Sequence, residues 1–174
     1  MTISKKLRNY RTGDPAKFET DVTVTLTDTH LTFDFYCKNS KFYSAGQTYN
    51  SDVFDGDACE AFICTDGSLK HYFEIEVAPN NCVFLMKITN NGNGDLILDP
   101  IDECFVVSEV EICGDDYKCK FTVPLDKIGY DKEKGILFNA FRIETEGGIS
   151  DKNLFAWQPA CSNTFHRPEF FVKL

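Results

Sequence analysis

The sequence predicts an all-β fold, an antiparallel β-sandwich with minimal helix, and three observations lead there. Apolar residues recur with a period of two in the long apolar segments, as they do on half-buried strands. Sixteen Phe and seven Tyr stand against two Met, a bias toward side chains that suit pleated surfaces. No stretch of twelve residues carries a convincing 3.6-residue period. Some nine or ten short strands with no helices between them point to a sandwich.

The first strands are 22–26 and 31–37. In Leu31-Thr32-Phe33-Asp34-Phe35-Tyr36-Cys37 the apolar residues fall on one face and Thr32, Asp34 and Tyr36 on the other. The short polar link Thr27-Asp28-Thr29-His30 makes the two strands a hairpin. Further strands are expected at 58–64, 71–77, 82–88, 137–143 and 169–173, separated by turn chemistry such as Pro79-Asn80-Asn81, the Asn- and Gly-rich run 90–95, and Gly147-Gly148. A second hairpin spans 106–123. With Asp115-Asp116 as its turn, Ile112 faces Cys119, Val110 faces Phe121, Ser108 faces Val123 and Glu111 faces Lys120. Pro124-Leu125-Asp126-Lys127-Ile128-Gly129 carries the signature of a single helical turn.

With 174 residues, 43% hydrophobic and 26% charged, the chain can bury a core as one domain, 1–174, without metals or disulfides. Eighteen basic against 27 acidic residues give a formal charge of −9, with no basic cluster for phosphate, so nucleic acid is not an expected partner. No apolar run approaches the ~20 residues that span a bilayer, and Met1-Thr2-Ile3-Ser4-Lys5-Lys6 is not followed by an apolar signal core. No membrane association is expected. The eight cysteines include no C-x-x-C; Cys37, Cys64 and Cys119 lie inside strand-like runs, and Cys59 and Cys64, five apart, face opposite ways. Free thiols in a reducing cytoplasm follow as the expectation. The oligomeric state is left open.

Several residues offer chemistry. Trp157, in Phe155-Ala156-Trp157-Gln158-Pro159, reads either as a core ring or as a platform for the apolar face of a sugar. The stretch from Asn50 to Glu60 carries four carboxylates, an oxygen-rich run that could hold Ca²⁺, though its spacing is not that of an EF-hand; a solvated acidic loop is the other reading. Glu60, Glu74 and Glu76 lie on expected strands, and Glu74 and Glu76 share a face with Tyr72. Paired carboxylates are what glycoside hydrolysis requires, but i, i+2 spacing on one strand arises readily without it, and Glu76 reads as an exposed acid. Arg142 shares a strand face with Phe138, Ala140 and Glu144, so it is either paired structurally or reaches a ligand. His166 has no partner at zinc-ligand spacing.

Six segments, taken in order, resemble the strand motifs of family 9 carbohydrate-binding modules. They are Asp57-Ala58-Cys59-Glu60-Ala61-Phe62-Ile63, Tyr72-Phe73-Glu74-Ile75-Glu76-Val77-Ala78-Pro79-Asn80, Phe121-Thr122-Val123-Pro124-Leu125, Phe138-Asn139-Ala140-Phe141-Arg142-Ile143-Glu144, Ala156-Trp157-Gln158-Pro159 and Phe165-His166-Arg167-Pro168-Glu169-Phe170. The resemblance covers roughly residues 23–174. It implies a β-sandwich related to the DOMON superfamily that binds sugars between two aromatic side chains. Trp157 matches one member of that clamp, and Phe54 stands where the family typically has a second Trp. Glu60 matches the acid that hydrogen-bonds sugar hydroxyls, Asn139 and Arg142 fall in the strand lining the same region, and Tyr72 joins them as a candidate contact. Some members carry structural calcium; no other cofactor is implied.

Three functions compete. The first is non-catalytic binding of a sugar or polysaccharide end, serving carbohydrate catabolism. A glycoside hydrolase using Glu60 and Glu74 is the second, and a cytoplasmic module for another ligand or partner is the third.

Overall fold

A computed structural model of the chain describes residues 1–148 and 151–174. Among them are thirteen strands: β1 (Thr2–Lys6), β2 (Arg8–Asn9), β3 (Thr20–Leu26), β4 (His30–Cys37), β5 (Ala58–Cys64), β6 (His71–Val77), β7 (Val83–Asn90), β8 (Leu96–Pro100), β9 (Val107–Cys113), β10 (Asp116–Pro124), β11 (Leu137–Glu144), β12 (Asn153–Ala156) and β13 (Val172–Lys173). Helical structure among the described residues is confined to two three-residue 3-10 turns, Val53–Asp55 and Pro168–Phe170. The smaller sheet runs β1-β3-β4-β10-β9; the larger runs β2-β12-β11-β5-β6-β7-β8, with β13 added beside β11. Every strand pairing is antiparallel. The all-β sandwich expected from periodicity is the fold observed.

The core between the sheets follows from the alternation. Phe33 and Phe35 of β4 stack on Phe121 of β10 at 5.3 and 5.8 Å, and Phe33 reaches Phe138 of β11 in the opposite sheet at 5.8 Å. Cys59, Ala61 and Ile63 of β5 and Ile75 and Val77 of β6 complete this layer. The larger sheet also carries a second apolar cluster on its other face, including Tyr10, Phe62, Tyr72, Phe84, Phe141, Phe165 and Phe171. That face is roofed by the chain ends and by the segment around Phe165, so all seven residues of β5 are buried. Cys59 and Cys64 fall in opposite layers, as their spacing requires.

Three local expectations are corrected. The β9–β10 hairpin pairs Glu111 with Lys118, Val110 with Cys119 and Ser108 with Phe121, two residues away from the anticipated register. Gly114, at φ 69°, takes the first position of a two-residue turn that Asp115 completes, closing the hairpin earlier than an Asp115-Asp116 turn would. A two-residue shift preserves the faces, so charges still pair across the strands: Lys118 with Glu111 at 2.9 Å and Lys120 with Glu109 at 3.2 Å. The segment after Pro124 is a non-helical turn, held by Lys127 N–H to Pro124 O and Tyr130 N–H to Leu125 O. Near the C-terminus, Pro168–Phe170 form a 3-10 turn, leaving Val172–Lys173 as the only strand of the expected 169–173.

Candidate functional site

On the outer face of the larger sheet, the roof leaves open a cleft of about 440 Å³. Its floor is built by register. Glu60 of β5 lies directly opposite Glu76 of β6, and Glu74 stands two residues before Glu76 on the same face, opposite Phe62. One oxygen from each of the three carboxylates lies within 4.8 Å of the others. They are 1%, 6% and 1% exposed for Glu60, Glu74 and Glu76, so Glu76 is not the exposed acid the sequence suggested. The walls are aromatic and aliphatic: Phe54, Phe62, Phe84, Phe165, Ile143 and Leu154, with Arg11, Lys152 and His166 among the polar groups lining it.

Phe54 sits on the 3-10 turn ahead of β5 and meets Phe84 edge-on at 5.5 Å. Gly56 ends that turn tight against residues 43–45, where a Cβ would come within 2.6 Å of Ala45 N and 2.7 Å of Tyr43 O. Lys152 holds the same turn by donating to Phe54 O at 2.8 Å and pairing with Asp55 at 3.1 Å. His166 stacks on Phe62 at 5.2 Å, with Nδ1 2.9 Å from the Tyr72 hydroxyl and Nε2 3.9 Å from Glu74. Asn90 Nδ2 donates to the Tyr72 hydroxyl, which is thereby free to give its own proton to Nδ1 and leave an N–H at Nε2 facing Glu74. Burial lowers the His166 pKa to about 4, keeping the ring neutral.

Carboxylates taken from water and set side by side resist ionising together. Burial pushes Glu74 up to about 7. Glu60 and Glu76 lie well above the usual carboxylate range, by burial first and then by the charges of their neighbours. The native cluster therefore holds protons that the unfolded chain releases near pH 4.5, and stability should fall as pH rises from about 4.5 through 7. Glu74 alone accounts for on the order of 3 kcal/mol of this fall. Thermal unfolding across that range should show Tm falling with pH and a flatter profile for Glu74→Gln. A Tm that rises toward pH 7 would contradict the protonated cluster.

Of the residues singled out from sequence, the structure brings Phe54 and Glu60 together in the cleft. Trp157 is placed elsewhere. It is 6% exposed and packs edge-on against Phe138 at 5.5 Å, within the layer between the sheets. It follows β12 in alternation with the inward-facing Phe155, so it lies on the opposite face of the sheet from Phe54, and the two form no clamp. Arg142 is wholly buried on the same inner face. It pairs with Glu144 at 2.7 Å and donates to Thr20 Oγ1 at 2.9 Å and to Lys38 O, so its guanidinium is engaged within the fold. Asn139 is also occupied: Nδ2 donates to Gln158 O, and Oδ1 accepts from Gln158 N and Ala140 N. Tyr72 is buried beneath His166 and positions that ring.

The acidic stretch from Asn50 to Glu60 does not converge on a cation. Asp57 accepts from Tyr43 N, Ser40 Oγ, Thr145 N and Thr145 Oγ1, Asp55 pairs with Lys152, and Glu60 belongs to the cleft. Phe62, Phe84, His166, Arg11 and Lys152 were not anticipated as site residues. The alternation Tyr72-x-Glu74-x-Glu76 was the available signal, because it set both acids on one strand face with a ring.

No model of a known protein family matches the chain, and no curated protein matches its sequence. Solved structures do match. A protein from Bacteroides uniformis ATCC 8492, described as a candidate carbohydrate-binding protein, superposes with a TM-score of 0.75 at 14% identity, over 97% of this chain and 84% of that one. A family 9 carbohydrate-binding module from Caldicellulosiruptor kristjanssonii matches in two structures. Its glucose complex gives a TM-score of 0.60 at 13% identity, over 95% of this chain and 81% of that one. The cellotriose complex gives 0.64 at 14% identity, over 98% and 80%. The six-segment resemblance and these superpositions agree: this chain has the fold of the family 9 carbohydrate-binding modules.

Proposed function

We propose that the chain is a non-catalytic carbohydrate-binding module whose site is the cleft over Glu60, Glu74 and Glu76. The observation that carries this reading is the cleft's make-up. A half-buried ring at Phe54, edge-on to Phe84, stands beside a floor of hydrogen-bonding carboxyl groups, the two kinds of contact a sugar ring offers. Glucose and cellotriose bound to a module of the same fold support it. A second cleft of about 430 Å³ shares His166 and Thr164 with the first, which gives room for more than one sugar unit.

Hydrolysis is disfavoured by the electrostatics. A glycosidase needs environments that separate an acid from an ionised partner, whereas here burial moves all three carboxyls in the same direction. A role in carbohydrate catabolism and a reducing cytoplasmic setting, consistent with buried thiols at Cys37, Cys59, Cys64, Cys82 and Cys119, belong to this proposal too. No helix among the described residues is long and apolar enough to cross a membrane.

Titration calorimetry against a panel of glucose-based oligosaccharides tests the site. Glu60→Ala should weaken binding up to about tenfold, through loss of a hydrogen bond from the cleft floor, and Phe54→Ala several-fold. No free sugar should be released on prolonged incubation. Unchanged affinity in both variants would contradict the site, and steady release of reducing sugar would return the hydrolase reading.

A further inference from the structure

We infer that the sugar taken by this cleft carries a free primary amine, whose ammonium group is held by Glu60, Glu74 and Glu76. The inference rests on the carbohydrate reading above and names the class of sugar. Among the described residues, Glu60 Oε1 and Glu76 Oε2 are buried oxygens with no hydrogen-bond partner. Such orphaned oxygens are costly, and a donor reaching the cleft floor would satisfy them as their protons leave. A neutral sugar hydroxyl can satisfy one of them but does not offset the charge that accumulates as the cluster ionises.

The chain's own cations do not fill this role. Lys152 is spent on Phe54 O and Asp55, and Arg11 donates to Asn163 and to Lys152 O. His166 is neutral at physiological pH and 3.9 Å from Glu74. Asp151, the remaining charged group lining the cleft, adds negative charge.

Two kinds of cation fit three converging carboxylates, and the walls choose between them. A hard divalent ion such as Ca²⁺ takes six to eight oxygens, but among the described residues only the three glutamates converge on one point, beside carbon walls at Phe54 and Phe84. An ammonium has three N–H donors and no acceptor, one for each carboxyl. Hydrogen bonds of about 2.8 Å in tetrahedral directions spread their acceptors to about 4.6 Å, in keeping with oxygens that lie within 4.8 Å of one another. Aromatic faces beside an ammonium add cation–π attraction, and a chain of net charge −9 favours approach of a cationic ligand.

Three β-1,4-linked trisaccharides that differ at carbon 2 separate the alternatives: cellotriose with hydroxyls, chitotriose with acetamides and its fully de-N-acetylated form with free amines. Titration calorimetry of the full chain at pH 7 should show the amine-bearing trisaccharide binding at least tenfold tighter than the other two. Binding should release protons from the glutamate cluster, seen as a heat that changes with the ionisation enthalpy of the buffer. Glu76→Gln, and Glu74→Gln as a second variant, should erase the preference, leaving the amine-bearing trisaccharide no tighter than cellotriose on the same variant, while cooperative unfolding remains.

Equal affinity for the three would overturn the amine and leave the carbohydrate site standing. Binding of none would overturn both. A preference that survives the Gln variants would reduce it to general attraction by an acidic protein and overturn it. Heat from CaCl₂ alone that Glu76→Gln removes would overturn it in favour of a metal centre.

Discussion

Replacing Arg142 by Ala should destabilise the fold by about 3–5 kcal/mol, because it strands Glu144 as an unpaired charge between the sheets. Both side chains of this pair are wholly buried, and the guanidinium also satisfies Thr20 Oγ1 and Lys38 O, so its loss leaves several acceptors without a donor. Tm should drop by roughly 10 °C, enough to remove much of the stability of an ordinary domain. Removing the charge together with its counter-charge should cost less. Arg142→Met combined with Glu144→Gln is expected to recover part of the loss in chemical denaturation. Wild-type stability in Arg142→Ala together with lost sugar binding would contradict the structural role and restore Arg142 to the ligand.

Trp157→Ala should likewise act on the fold and spare the site. Removing a large ring from the packed layer against Phe138 leaves a cavity, with an expected cost of about 3–5 kcal/mol. Sugar affinity measured below the variant's Tm should match wild type. The emission of Trp157, the sole tryptophan, should not respond to sugar, because the ring lies on the other side of the larger sheet from the cleft. A stable variant that no longer binds would reverse this assignment.

The contrast between Trp157 and Glu60 shows what local sequence can carry. Alternation correctly grouped Arg142 with Phe138, Ala140 and Glu144, and Glu74 with Glu76 and Tyr72, because side chains along a strand must alternate. It did not say which group faces the partner sheet. In an antiparallel sandwich with one wet face, polarity would decide that. Here both faces of the larger sheet are covered, so β5 is buried at every position and the usual contrast between inside and outside disappears. Trp157 then reads equally well as platform or core.

The β9–β10 register shows a related limit. Charge and apolarity repeat every two residues in Val107–Cys113 and Asp116–Pro124, so a two-residue slip satisfies the same pattern, and the conformation of Gly114 selects between the registers. His166 was hidden for another reason. Its partners Tyr72, Phe62 and Glu74 lie about a hundred residues away, and only the roof segment's return across the sheet brings them together.

Ligand is expected to bind on the outer face of the larger sheet, over the three glutamates. The most direct measurement is a crystal structure of the protein with the tightest-binding trisaccharide. The expected result is a sugar ring against Phe54 with a polar group within hydrogen-bond distance of Glu60 or Glu76, and Trp157 untouched beneath the sheet. A sugar bound at any other surface, with the cleft over Glu60 empty, would contradict it.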